Sequence, residues 1–591
     1  MCGIYGCVGK SNIEKTHECI HKIQHRGPDA IATKQLQDNV FFAHARLSII
    51  DVSDEANQPM SDLSGRFTIV YNGEVYNYIE IRKVLEEKGY KFRTNSDTEV
   101  VLNAYIEWGA DALNRFNGMW GFAIWDKKEQ QLFLARDRFG VKPLYYYKGK
   151  DGFFFASEQK ALFPIMPSRT INCSIFNSAK YFLYEATSES IFLEISKIKA
   201  GYYGILRNGC LKEYRWWNTL DNLAEVPSSY EEQVELLREL FEDACTIRMR
   251  SDVPIGTAVS GGVDSSAVIG MMHHVSEKGV KNISNDWQHT FVASMPGTSI
   301  DETQYAERAS NYIGKSVNKV EIQQEISDTK LLDYMYMCED PYITSPVPYM
   351  QTYKGIFDAG IKVTLDGHGA DELFGGYAFD LPYAYCDART DEEREMVYQT
   401  YMNCHTGGRM LSKSAFENKA YGVNSKCIDK LGVFNSQLYV QTHDEVLPTL
   451  FRCYDRYSMS NSVEIRMPFM DYRIVSFAFS IPWTSKVRNG YTKSIVRDMA
   501  AGVMDDRILY RKDKIGFNSP MTEWLLDDNV KSFILDAIHS VEFFNCSLIN
   551  PTLAQIKIAE FYRKEDFEFI DGAQIWEILM PYFWEKALKQ G

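Results

Sequence analysis

The chain has 591 residues, 45% of them hydrophobic, and a formal net charge of −15. That length predicts about two to four domains, and that composition lets them bury cores without disulfides or metals. The acidic balance, with no dense Lys/Arg run, excludes a general nucleic-acid binder. The twelve cysteines have neither C-x-x-C nor zinc-site spacing, which fits a reducing cytosol. No signal-like segment and no apolar run of about 18 residues is present, so the expectation is a cytoplasmic protein without a membrane span.

The chain opens on Met1-Cys2-Gly3-Ile4. A cysteine after the initiator methionine can become the mature N-terminus, carrying a thiol and a free α-amine on one residue. An α-amine has a reference pKa of about 7.7–8.0, so it can serve as the base for its own thiol. The alternative is a small buried residue with no chemistry. Strands are predicted at 67–71, 122–125, 131–135, 144–147 and 153–156, the last four as two hairpins around polar loops. Helices are predicted at 78–88 and 97–108, each closing on a glycine. Mixed strands and helices predict a layered sandwich. Arg46 precedes Leu47-Ser48-Ile49-Ile50-Asp51, an apolar run that reads as a buried strand. Asn72-Gly73 reads as a turn and Asp97 as a residue near a helix cap, and each also suits a polar site.

Five segments in order resemble the N-terminal-nucleophile glutaminase domain of class II glutamine amidotransferases. They are Met1-Cys2-Gly3-Ile4, His25-Arg26-Gly27-Pro28-Asp29, Arg46-Leu47-Ser48-Ile49, Tyr71-Asn72-Gly73-Glu74 and Arg136-Asp137-Arg138-Phe139-Gly140. The resemblance implies a four-layer αββα sandwich over residues 1–215. It implies that Cys2 attacks the glutamine amide and that Asn72 and Gly73 form the oxyanion hole. Arg46 would clamp the α-carboxylate, with Leu47, Ser48, Ile49 and Ile50 beside it, and Glu74 and Asp97 would hold the α-ammonium.

Between residues 217 and 230 the apolar alternation lapses and passes Pro227-Ser228-Ser229, so a second domain is placed at 229–591. An amphipathic helix follows, with Val234, Leu237, Leu240, Phe241 and Ala244 at helical spacing. An apolar strand then runs into Val259-Ser260-Gly261-Gly262-Val263-Asp264-Ser265-Ser266 and a helix. Glycines admit an anion to the backbone and a helix N-terminus favours it, and the Walker A pattern is absent. Strands at 291–293, 316–320 and 362–365 alternate with helices, which predicts a doubly wound parallel sheet with ligands at strand C-terminal ends. The last strand leads into Asp366-Gly367-His368-Gly369-Ala370-Asp371-Glu372. Lys514 is read as phosphate-directed, and Lys493 and Arg466 stay open between phosphate ligands and surface charges.

The Ser260-Gly261-Gly262-Val263-Asp264-Ser265 run resembles the pyrophosphate loop of N-type ATP pyrophosphatases. The two halves in this order resemble the asparagine synthetase family. ATP and Mg²⁺ are then implied. Val259, Ser260, Gly261, Gly262, Asp264, Ser265, Ser266, Ala293, Asp366 and Gly367 would bind ATP, and Asp264 and Asp371 the metal. Implied partners are glutamine, ATP and a carboxylate acceptor, with no nucleic acid, and a homodimer follows from the family alone. His368 stands where the family carries a glutamate, and a neutral imidazole can take a proton from attacking ammonia. L-aspartate is the leading acceptor, and a sugar uronic acid or cell-wall diaminopimelate is the alternative. A tRNA-modifying pyrophosphatase would share only the second half, and a silent glutamine sensor would have no need of Cys2, Asn72, Asp264 and Asp371.

Overall fold

The computed structural model describes residues 1–176, 183–404, 411–418, 427–512 and 516–590. Its strands in chain order are β1 (Gly3–Gly9), β2 (Ala30–Gln37), β3 (Val40–Arg46), β4 (Met60–Ser61), β5 (Phe67–Val75), β6 (Gly118–Asp126), β7 (Gln131–Arg136), β8 (Tyr145–Gly149), β9 (Gly152–Ala156), β10 (Ile195–Lys197), β11 (Tyr202–Arg207), β12 (Cys210–Arg215), β13 (Ile255–Ala258), β14 (His289–Ser294), β15 (Asn318–Glu321), β16 (Val363–Leu365) and β17 (Glu464–Arg466).

The first twelve form two six-stranded sheets in the orders β10-β8-β9-β1-β3-β2 and β12-β11-β7-β6-β5-β4. Every pairing in them is antiparallel. Side chains alternate across a strand, and that alternation fills two layers of core. Ile4, Phe42, Val70, Ala123, Leu134 and Phe155 pack between the sheets. Tyr5, Phe41, Ala43 and Phe154 face outward into a second core with the helix Ile13–His21. Outside the other sheet, Ile69, Tyr71, Phe122 and Phe133 meet the helices Tyr78–Glu87 and Asp97–Trp108. The predicted hairpins are β6–β7 and β8–β9.

The apolar run at 47–51 is not a strand. β3 ends at Arg46, and the segment beyond it is a loop. Its backbone groups are taken elsewhere: Ser48 N–H donates to Asp29 Oδ2 at 2.7 Å, and Ile49 C=O accepts from Asp252 N–H at 3.0 Å. Its apolar side chains are buried because they join the core of the second half.

That half carries a five-stranded parallel sheet in the order β15-β14-β13-β16-β17. The strand at 363–365 is therefore not the last, since Glu464–Arg466 adds an edge strand beside it. Its three residues alternate charged and apolar and sit between ionic motifs, so periodicity gave no signal of a strand. The strand order reverses between β13 and β16, and a reversal of this kind opens a crevice at the strands' C-terminal ends. None of the described helices is long and apolar enough to cross a membrane. All twelve cysteines are unbridged.

The halves share buried charge. Arg26 Nη1 donates to Glu158 Oε1 at 2.6 Å, and its two Nη atoms reach Asp455 of the helix Val446–Met459 at 2.8 and 3.1 Å. Arg456 Nη2 lies 2.9 Å from Glu339 Oε2, whose carboxylate also accepts the Gln159 and Lys160 N–H groups. The C-terminal helix Phe569–Gln590 packs into the core outside the first sheet, and Trp584 Nε1–H donates to Glu339 C=O at 2.8 Å. Removing one partner of a buried pair strands the other charge at a cost of about 3–5 kcal/mol. Arg26→Ala is accordingly expected to lower the thermal unfolding midpoint of the whole chain, and an unchanged midpoint would show the pair to be dispensable.

Candidate active site

Two sites are built at strand ends. At the first, β1 brings Cys2 beside β5. The Cys2 N–H donates to Asn72 Oδ1 at 3.1 Å, and Arg26 Nε–H donates to the Cys2 carbonyl at 3.0 Å. Asn72 is fully buried, yet its amide nitrogen Nδ2 has no acceptor. An orphaned buried donor beside a thiol is costly unless something fills it, so this atom points to a ligand oxygen. The next residue must be glycine, because a Cβ at Gly73 would lie 2.2 Å from the Met119 carbonyl. Along β5, β4 pairs only with Thr68 and Ile69, which leaves the strand edge at Asn72 and Gly73 without a partner strand among the described residues.

Burial pushes the Cys2 thiol above its ordinary pKa, against the pull of the N-terminal charge and Arg46. A thiol of that kind needs a base beside it. The Met1 α-ammonium lies 2.9 Å from Glu464 Oε2 on β17, and both are buried. Arg466 Nε–H donates to Glu464 Oε1 at 2.6 Å, and its Nη2 reaches Glu74 Oε2 at 3.4 Å. Burial would raise Glu464, but that N-terminal charge and Arg466 outweigh it and hold the carboxylate at about 2.

Glu74 and Asp97 are the acidic wall of this site. Asp97 opens its helix after the cap Ser96, and its Oδ2 accepts from Tyr71 O–H at 2.8 Å and Val75 N–H at 3.0 Å. Burial raises Asp97 to about 6 and, together with Asp97, raises Glu74 well above its ordinary value. Arg46 is buried rather than a surface charge. Its guanidinium donates to Ser53 C=O at 2.6 Å, to Asn57 Oδ1 at 2.8 Å and to Asp51 C=O, so it ties down the loop that follows Ile50.

The second site lies in the crevice between β13 and β16. The helix Val263–Glu277 starts on Gly262 with no side-chain cap, so its first N–H groups face the loop as an anion site would require. Ser265 Oγ accepts from Ser260 N–H at 3.3 Å, and Ser260 Oγ accepts from Gly262 N–H at 3.2 Å, which folds the loop on itself. The Ser266 hydroxyl is buried without a partner. Gly261 has φ +69°, and a Cβ there would meet Tyr305 Cβ at 2.2 Å. A Cβ on Gly367 would come within 2.7 Å of the Asp264 and Ser265 backbone, so glycine lets the two loops touch. Val259 N–H donates to Phe291 C=O at 2.8 Å, which aligns this loop with β14, where Ala293 lies.

The Asp366 carboxylate is committed to the fold. It accepts from Ala258 N–H at 3.2 Å and Tyr353 O–H at 3.0 Å, and burial raises it to about 6. The Asp264 and Asp371 carboxylates both reach the Lys493 ammonium, at 2.7 and 2.8 Å. Two hard oxygen donors already holding a positive charge are a donor set that suits Mg²⁺. His368 stacks edge-on against Tyr454 with ring centroids 4.0 Å apart. Burial lowers its pKa to about 4, and its buried Nε2 has no partner. Lys514 lies outside the described residues.

Sequence reasoning brought Cys2, Asn72, Gly73, Glu74 and Asp97 to one place and Ser260, Asp264, Gly367 and Asp371 to another. It missed Arg26 and Glu464 as site neighbours and left Lys493 open.

A family model described as a glutamine amidotransferase domain matches residues 1–217, and one described as asparagine synthase matches residues 236–582. The glutamine-hydrolyzing asparagine synthetase 3 of Bacillus subtilis is 31% identical over 548 residues, covering 87% of this chain and 86% of that protein. The glutamine-hydrolyzing asparagine synthetase 1 of the same organism is 29% identical over 577 residues, 89% of this chain and 88% of that one. Among solved structures, the glutamine phosphoribosylpyrophosphate amidotransferase of Bacillus subtilis is similar at 15% identity and a TM-score of 0.30, over 54% of this chain and 81% of that one. With one model matching more than half of the residues and a relative this similar along most of its length, the chain belongs to the asparagine synthase family.

Proposed function

We propose that the chain is a glutamine-dependent, ATP-driven ligase that converts aspartate to asparagine through an acyl-AMP intermediate. The first half is then an αββα sandwich of the N-terminal-nucleophile type and the second an ATP-pyrophosphatase domain. The observation that carries the reading is Asn72: one end of its amide accepts from Cys2 while the other is a buried donor awaiting an oxygen.

Removal of Met1 turns the Cys2 amide nitrogen into an amine able to take the thiol proton. The thiolate attacks the glutamine amide carbon, and Asn72 Nδ2 with the Gly73 N–H receives the developing oxyanion. Glu74 and Asp97 hold the α-ammonium, and Arg46 with the loop 47–50 meets the α-carboxylate. Ammonia leaves and the Cys2 thioester is hydrolysed. In the other half, the aspartate carboxylate attacks the ATP α-phosphorus and pyrophosphate departs into the loop 259–266, where Ser260, Gly261, Gly262, Ser265 and Ser266 supply donors, with Lys514 added on the phosphate side. Asp264 and Asp371 would hold Mg²⁺, which supplies charge neutralisation at the phosphates when bound. His368, neutral near pH 7 and open at Nε2, takes a proton as ammonia attacks the acyl-AMP.

Incubation with glutamine, Mg-ATP and aspartate is expected to yield asparagine, AMP and pyrophosphate, and the active preparation to have the mass of a chain lacking Met1. Cys2→Ala is expected to abolish the glutamine-driven reaction and leave synthesis from added ammonium. Aspartate yielding neither asparagine nor pyrophosphate would sink the assignment.

Glutamine use also has an expected acid limb. Asp97 is ionised at pH 7 and protonates near pH 6, where a neutral carboxyl no longer attracts the α-ammonium. Glutaminase kcat/KM should therefore fall by about tenfold per pH unit below that point. A carboxyl with a raised folded pKa binds its proton more tightly in the folded chain, so its protonation favours the fold and the fall is not unfolding driven by Asp97. A flat profile from pH 7 to pH 5 would remove Asp97 from ammonium binding.

A further inference from the structure

The edge strand β17 brings Glu464 of the second half up to the nucleophile of the first. Arg466 Nε–H donates to Glu464 Oε1 at 2.6 Å. Glu464 Oε2 is buried; it meets the Met1 α-ammonium at 2.9 Å but accepts no hydrogen bond among the described residues. Glu74 is the mirror case. Arg466 Nη2 lies 3.4 Å from its Oε2, and its Oε1 is buried without a hydrogen-bond partner. Arg466 cannot swing to serve these open oxygens, because its Nη1 donates to the Arg248 and Arg250 carbonyls at 2.8 and 2.5 Å. Two buried carboxylates thus share one pinned guanidinium, and each keeps one oxygen open.

We propose that Glu464 binds the α-ammonium of glutamine together with Glu74, and so selects amino-acid amides over plain amides. The inference rests on the reading of Cys2 as the nucleophile that attacks glutamine, and adds to it a ligand from the other half of the chain. A buried acceptor left open is costly unless a donor fills it. A primary ammonium suits two such acceptors, since it carries several N–H groups and the opposite charge. Met1 shows that the site accommodates one, because an N-terminal α-ammonium has the chemistry of the α-ammonium of a free amino acid. Removal of Met1 takes that cation away and leaves the Glu464 carboxylate beside the space it filled, next to Cys2. Burial, with Asp97 and then Glu464 nearby, also pushes Glu74 up, which marks a cluster that gains from a further cation. Because Glu464 comes from the second half, this ammonium subsite is complete only in the docked chain.

The probes are diazo-oxo-L-norleucine, a glutamine whose amide is replaced by a diazoketone, and iodoacetamide, which alkylates thiols and has no ammonium. The rate of Cys2 labelling is read by mass spectrometry of the N-terminal peptide from the active full-length preparation. Glu464→Gln keeps the size of the side chain and removes its charge. It should slow labelling by the diazo reagent by about tenfold or more, as expected for a lost hydrogen bond to a charged group, and leave the iodoacetamide rate near the native value. The native preference for glutamine over glutaramate, which lacks the α-amine, should shrink by the same factor in glutaminase kcat/KM. Glu464→Asp, the milder change, should show a smaller loss confined in the same way to the diazo reagent. A diazo rate that stays native in both variants, or that falls no more than the iodoacetamide rate, overturns the proposal and leaves Glu464 a docking residue. A native chain whose Cys2 the diazo reagent does not label overturns instead the reading of Cys2 as the nucleophile toward glutamine, and the proposal with it.

Discussion

One buried guanidinium sets the arrangement of the rest. Arg26 donates through Nε to the carbonyl of Cys2 and through its Nη atoms to Glu158 and Asp455. A planar fork can serve three acceptors in fixed directions, whereas a lysine at the same place could offer only a point charge. Taking these ions out of water is expensive, and the expense is met only when all partners are present. Asp455 arrives on a helix of the second half, so the charges are satisfied only in the docked chain. The same atom set that fixes Cys2 thus fixes the register of the halves, and a small rotation between them would leave several ions stranded.

Around that constraint both sites use one device, a backbone segment approached so closely that only glycine fits. Gly73 lies against β6, Gly261 against Tyr305, and Gly367 against the turn carrying Asp264. The edge strand β17 runs between the sites. Its Arg466 reaches Glu74 with its side chain, while its carbonyl accepts the Asp366 N–H at 2.9 Å. Both sites are therefore held by short, buried backbone segments rather than by free loops, which is what positions reacting groups within a few tenths of an ångström.

Much of this was legible in the residues. The hairpins followed from alternation and turn chemistry, the helices at 78–87 and 97–108 from their caps and closing glycines, and the parallel sheet from strand–helix alternation. The loop at 47–51 was misread because burial there comes from the other half of the chain, and a local apolar run cannot say which surface covers it. β17 was missed because a three-residue strand carrying two ions has no period to detect. Arg26 and Asp455 stand 429 residues apart, and no local rule joins charges at that separation. Lys493 stayed ambiguous for a related reason: its meaning lies in two carboxylates on loops that only the sheet's strand order brings together.

The proposed reaction requires ammonia made in the first half to reach the second, and the interface it would cross is largely apolar. Met1, Leu47, Ile49, Ile50, Tyr76, Met119, Phe139 and Val141 of the first half merge into the core of the second. An ammonium ion would have to shed its water to pass such a boundary, while neutral ammonia sheds far less. An unpaired buried carboxylate would undo that selection, because it would draw a proton onto ammonia and hold the ion in place. Four carboxylates at this boundary are paired with an arginine: Asp455 and Glu158 with Arg26, Glu464 with Arg466, and Glu339 with Arg456. The buried ion pairs therefore specify how the halves dock, because their charges are satisfied only together.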